Sequence, residues 1–265
     1  MNLLLTAVVA LAAFTPLAAA TRVLVTVVES RTYQPVAGLQ APDFDVQDGG
    51  SPRHVEMAEF ASLPVDVALL VDSSLAGHMV QPVAADMIAQ LRDKEQMALI
   101  SFDSSANLAQ DFTSSRNALL EALASLKFGN DPRVLDALYA TMDEAFRNAT
   151  LRRVVLLLTS GLEGNSRVGE RSVIQLARKN GVSIYPLYAL GYERGLFESL
   201  ARQTGGVPIS IRNIGRETKS PAERVFEIVR GHYTLTLRGN LAVSDKLKIQ
   251  LRRPGKYVIS FLPLD

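Results

Sequence analysis

Residues 65–71 read VDVALLV, and the run ends in Asp72-Ser73-Ser74. A nearly continuous, β-branched apolar stretch of this length is the pattern of a strand buried on both faces of a parallel sheet. Similar runs recur at residues 97–102 (MALISF), 154–158 (VVLLL) and 182–189 (VSIYPLYA). Helical patterns occupy residues 78–92, 116–126, 134–148, 169–180 and 195–203, and one at 221–229 closes the region. Strands alternating with helices require right-handed crossovers, so the middle of the chain is expected to be α/β: a doubly wound, mostly parallel sheet flanked by helices. Residues 106–112 (ANLAQDF) follow a turn at Asp103-Ser104-Ser105 and are expected as a short antiparallel edge strand.

On both sides of this region the pattern changes to short alternating strands. Residues 22–29 (RVLVTVVE) read as a strand, Phe44 and Val46 alternate with polar residues, and residues 54–60 (HVEMAEF) alternate again. Asp48-Gly49 supplies hairpin turn chemistry. Residues 21–62 thus read as a small antiparallel unit. Three more strands are expected at 232–237, 246–251 and 256–261, separated by turns at Gly239-Asn240 and Pro254-Gly255. Three-stranded pieces bury little core alone. The economical arrangement is a β-sandwich made by the two ends, residues 21–62 and 231–265, with an α/β domain at 63–230 inserted in it.

Lys+Arg (28) and Asp+Glu (27) nearly cancel, which gives no electrostatic reason to expect nucleic acid as a partner. The absence of cysteine excludes thiol catalysis, thiolate metal sites and disulfides. Residues 1–20 (MNLLLTAVVALAAFTPLAAA) carry no charged side chain. Their apolar run, Pro16 and the small residues Ala18-Ala19-Ala20 read as a secretory signal cleaved near Ala20. The run is short for a membrane span, and no later segment is apolar enough for one. The expected location is therefore outside the cytoplasm, periplasmic or extracellular.

Ligands of an open parallel sheet bind at the carboxyl ends of strands where the strand order reverses. The segments to inspect are 72–78 (DSSLAGH), Asp103-Ser104-Ser105, Gly129-Asn130-Asp131-Pro132-Arg133 and Thr159-Ser160-Gly161. An apolar strand ending in Asp72-x-Ser74, followed by Gly77 and Met79, resembles the opening motif of von Willebrand factor A domains. Asp136-Ala137-Leu138 at a helix start, and residues 154–158 followed by Thr159-Ser160-Gly161, fit the same family in order and spacing. Pro35-Val36-x-Gly38-Leu39, Asp43-Phe44-x-Val46-x-Asp48-Gly49 and the strand at Tyr233 are similar to the secreted bacterial VWFA-related group.

The resemblance implies a metal-ion-dependent adhesion site, usually holding Mg²⁺ through Asp-x-Ser-x-Ser, a Thr and an Asp, with a partner carboxylate completing the shell. Hard cations want such oxygen donors in near-octahedral array. Asp72 and Ser74 match that pattern and are the candidate metal ligands. Ala76 stands at the second Ser, Pro132 at the Thr and Ser160 at the Asp. The site is expected to be degenerate, with no cofactor bound, unless Asp131, Asp103 or Glu163 repairs it for Mg²⁺. Asp72 and Ser74 also have a plainer use, capping the following helix through backbone N–H bonds. Arg133, beside the crevice, offers an acidic partner a direct contact.

Enzyme classes find little support. No Gly-x-Ser-x-Gly elbow or Gly-rich phosphate loop occurs. His54, His78 and His232 are scattered, and only His78 lies on a crevice loop. A hydrolase using Ser73 or Ser74 with Asp72 is the catalytic alternative, with a Ser73–His78 pair as one form. The expected function is a non-catalytic interaction module, adhesive or scaffolding, for a protein partner. Its binding residues are expected to be Asp72, Ser73, Ser74, His78, Asp131, Arg133 and Ser160. The alternative within the same fold is a metal-dependent adhesion domain with a repaired site.

Overall fold

The computed structural model describes residues 20–217, 220–239 and 242–264. The export signal expected at residues 1–20 falls, apart from Ala20, outside the described residues. Strands β1 (Thr21–Glu29), β2 (Phe44–Asp48), β3 (Ser51–Arg53) and β4 (Val55–Ser62) come first. The central part follows as β5 (Val65–Asp72), α1 (Gln81–Ala89), β6 (Gln96–Phe102), β7 (Ala106–Thr113), α2 (Arg116–Ala124) and α3 (Val134–Glu144). It continues through β8 (Arg152–Thr159), α4 (Glu170–Lys179), β9 (Val182–Tyr188), α5 (Arg194–Thr204), β10 (Ile209–Ser210), α6 (Ile211–Glu217) and α7 (Pro221–Arg230). Strands β11 (Gly231–Leu237), β12 (Leu247–Leu251) and β13 (Tyr257–Pro263) end the chain.

The central sheet has the order β10-β9-β8-β5-β6-β7, parallel except for β7. Every residue of β5 is buried, because both faces of the sheet are covered. Its alternation divides the core. Val65, Val67, Leu69 and Val71 join the layer of α1, α2 and α7, while Ala68 and Leu70 join that of α3, α4 and α5. Fully burying such a side chain is worth roughly 1.5–3 kcal/mol. One residue of the run is charged. Asp66 is 2% exposed, and its Oδ2 accepts the N–H groups of Thr150 and Leu151 at 2.8 and 2.9 Å, where the chain enters β8.

Two smaller sheets combine the ends of the chain, in the orders β13-β1-β11-β4 and β12-β2-β3. Residues 21–62 are therefore not one antiparallel unit. β1 pairs with β11 and β13, β4 pairs with β11, and the β2–β3 hairpin belongs to the other sheet with β12. The physical reason lies in β1, which is apolar on both faces. Val23, Val25 and Val27 pack with Phe44, Val46, Leu247 and Ile249 between the two small sheets. On the opposite face Val28 joins the core of the α/β part, and Thr26 donates to the Gly205 carbonyl at 2.7 Å. A local hairpin would have left one of these faces in water. The hairpin turn expected at Asp48-Gly49 sits one residue further on, at Gly49-Gly50, both with positive φ, between the paired Asp48 and Ser51.

Helix limits also differ from the sequence pattern. Residues 77–79 form a 3₁₀ turn, and α1 starts only at Gln81, with Pro82 in its first turn. The third helical pattern stops at Glu144 and continues as a 3₁₀ turn, Ala145–Asn148, in which Phe146 leaves helical geometry and packs on Phe112 with ring centroids 5.7 Å apart. Periodicity alone does not register such a change of winding. No helix of the described residues is long and apolar enough to cross a membrane.

His232 lies on β11, next to Tyr233, and is 5% exposed, with its Nδ1 3.1 Å from the Arg230 carbonyl. Burial, helped by the charge of Arg152, lowers its pKa from 6.5 to about 4. A folded value below the unfolded one means that the unfolded chain binds the extra proton first as pH falls. The contribution is complete above 6.5 and is lost between there and about 4. It amounts to at most about 3 kcal/mol. In urea titrations the wild type should therefore lose more stability than His232→Gln between pH 6.5 and 4; parallel curves would refute the assignment.

Candidate functional site

The strand order reverses between β5 and β8, so the loops that follow these two strands are where a ligand site of such a sheet is expected. Asp72 ends β5 and is 1% exposed. Its Oδ1 accepts the N–H of Ser74 at 2.9 Å, closing a local turn. Its Oδ2 accepts the N–H of Ser160 at 2.8 Å and faces the Thr159 hydroxyl at 3.5 Å. The carboxylate thus ties the end of β5 to the end of β8. It does not cap a helix N-terminus, as the sequence pattern had suggested. Asp66 makes the equivalent tie at the other end of the same two strands.

The neighbouring loops are fastened in turn. Gly129 donates to the Ser73 carbonyl at 2.8 Å, forming a parallel bridge between Ser74 and Gly129. Arg133 and Gly164 donate their N–H groups to the Asp103 and Pro132 carbonyls. Glu163 Oε2 accepts the Val134 and Leu135 N–H groups at the start of α3, and its Oε1 accepts that of Ser166. Burial pushes the Glu163 carboxyl up, against the lowering effect of these bonds. Asp136 Oδ1 accepts the N–H groups of Arg167 and Val168. The loops after β8 and before α3 are therefore laced together by carboxylates accepting from backbone.

The expected binding residues divide into two groups. Asp72, Ser73, Ser74 and Ser160 form the buried floor, all at 2% exposure or less. His78, Asp131 and Arg133 lie on the surrounding loops, and the first two are exposed. The His78 ring stacks on Phe128 at 4.0 Å, and Leu75, earlier on the same loop, is 68% exposed. No hydrogen bond joins Ser73 to His78 among the described residues. Asp103 is occupied by Ser105 N–H, and among the described residues no three acidic or histidine side chains cluster as a metal set. The hydroxyls of Ser74 and Ser160 are buried without hydrogen-bond partners, as is Arg133 Nε.

As donors for a divalent ion, the floor offers the Asp72 carboxylate, already accepting two N–H bonds, and the two free hydroxyls. Ala76 and Pro132 add no side-chain oxygen. Thr159, within the expected crevice segment 159–161, and Asp66, at the opposite end of the same strands, were not among the expected binding residues. Thr159, fully buried, accepts the Gly161 N–H and faces Asp72. Asp66 was visible as the lone charge inside an apolar run, a signal that something must satisfy it.

A doubly wound sheet with two apolar helical layers and a loop crevice at its switch point defines an α/β domain of the dinucleotide-fold type without its phosphate loop. Residues 67–163 match the family model of the von Willebrand factor type A domain. A structure of proximal thread matrix protein 1 from the mussel byssus, with a zinc-occupied adhesion-site motif, superposes with a TM-score of 0.56 at 17% identity, covering 69% of this chain and 50% of that one. A second crystal form gives 0.55 at 16% identity, covering 72% and 50%. The chain thus spans about half the length of the mussel protein, and at this identity the likeness is one of fold. No curated protein sequence matches the chain.

The crevice depends on close approach of backbone. A Cβ on Gly77 would lie 2.1 Å from the Asp72 carbonyl oxygen, whereas one on Gly129 would meet the Asp103 side chain at 1.5 Å. Backbone at the end of a central strand has nowhere to go, but a surface carboxylate can rotate. Gly77→Ala should cost roughly 1–3 kcal/mol by overpacking, and clearly more than Gly129→Ala. Equal melting shifts for the two variants would contradict the rigid-floor description.

Proposed function

We propose that the chain is an exported, non-catalytic protein-interaction module that engages its partner at the crevice loops without a divalent ion. The observation that carries this reading is the state of Asp72. Both of its oxygens accept backbone N–H groups inside a floor that solvent scarcely reaches. An ion there would have to be held by one engaged carboxylate and two hydroxyls. Mg²⁺ gives up water reluctantly, and so poor a shell repays little of that cost. The contact surface then consists of the loop side chains. Leu75 and Met79 are exposed apolar groups, His78 and Phe128 stack, and Arg133 offers a cation to an acidic group of the partner. Export rests on the signal-like residues 1–20.

A second reading is favoured by one feature. The Ser74 and Ser160 hydroxyls are buried and unpartnered beside Asp72, and buried hydroxyls normally find a partner. A repaired metal site would supply one for both. Titration calorimetry with Mg²⁺, Mn²⁺ and Zn²⁺ separates the readings. The metal-free module predicts no saturable heat at micromolar ion, and EDTA-insensitive capture of partner from an exported fraction. Micromolar affinity that disappears in Asp72→Ala would establish the repaired site instead.

A further inference from the structure

Away from the crevice, the central sheet ends at β7. Among the described residues no strand pairs with its outer edge. Beside it runs a groove of about 260 Å³ between β7 and the last turn of α3. Its apolar lining includes the buried Ile100, the half-buried Ala106 and the exposed Ala140, and Leu108 is 60% exposed. The groove lies where α3 gives way to the 3₁₀ turn at Ala145, with Phe146 drawn into the core against Phe112. Thr141 lines the groove at 3% exposure, and its hydroxyl has no hydrogen-bond partner. A buried mid-helix hydroxyl without a partner is a group that a ligand can satisfy.

We propose that β7 and this groove form a docking site for an extended segment of a partner protein, added as a seventh strand. Main-chain hydrogen bonds to the open edge would hold the segment, and alternate side chains would enter the groove. The chemistry of the occupant follows from the lining. A small β-branched side chain suits the apolar floor, and threonine in particular can reach the free Thr141 hydroxyl. Asp111 and Glu144 outnumber Arg147 around the opening, so a lysine or arginine is favoured beside that residue. A second copy of the chain fits this edge less well. Pairing with β6 is regular only from Ala106 to Leu108, after which the register shifts twice. Such irregularity twists an edge away from sheet-to-sheet pairing while leaving room for a short strand.

The test uses the full chain and a labelled peptide of about ten residues alternating valine and threonine, with a lysine at each end. Amide hydrogen exchange should slow at least tenfold at residues 106–110 on saturation. Leu108→Asp, at an exposed position that does not threaten folding, should weaken binding at least tenfold. N-methylation of the peptide along one edge should do the same. Replacing the peptide's threonines by valine should weaken binding to the wild type but not to Thr141→Val. Protection elsewhere or nowhere, undiminished binding of the N-methylated peptide, or self-association of the chain through β7 in sedimentation would each overturn the proposal.

Discussion

The carboxylate of Asp72 accepts one N–H from its own loop and one from the loop after β8, and the rest of the crevice is arranged around that tie. A carboxylate has two oxygens and needs partners when water is removed. Backbone N–H groups at the end of a buried strand need acceptors just as much. Each requirement is met by the other. Asp66 solves the same problem at the opposite end of β5, so two acids on one strand fasten both ends of β8. The symmetry makes the tie a matter of strand pairing.

From that tie the loops follow in order. Gly77 must be small because the turn folds back onto the Asp72 carbonyl. Ser73 and Gly129 then join the loop before α3 to the floor, and Glu163 fastens the start of α3 to the loop after β8. Exposed side chains left over from this lacing include Leu75, Met79, His78 stacked on Phe128, and Asp131. The β-sandwich packs through both faces of β1, one toward its own core and one toward the α/β part, so the two parts share a buried strand.

Much of this was legible in the sequence because the signal was repeated. Four apolar runs at helix-sized spacing require a covered parallel sheet, and the turn at Asp103-Ser104-Ser105 marked residues 106–112 as its short antiparallel edge. The crevice residues followed from the ends of those runs. What was not legible depended on partners distant in the chain. The pairing of β1 with β11 and β13 joins residues more than 200 apart, which no local pattern encodes. The short β10 and α6 follow Gly205-Gly206 with too few residues to show a period. The role of Asp72 was likewise open, since Asp-x-Ser reads the same for an ion, a cap or a tie between strands.

The measurement that bears most directly on the tie is amide hydrogen exchange at Ser74 and Ser160, followed with EDTA and again with millimolar Mg²⁺. If Asp72 itself holds these two N–H groups, both amides exchange slowly and at the same rate under the two conditions. Fast exchange in EDTA that slows only when the ion is added would show that a metal, and not the carboxylate alone, closes the crevice.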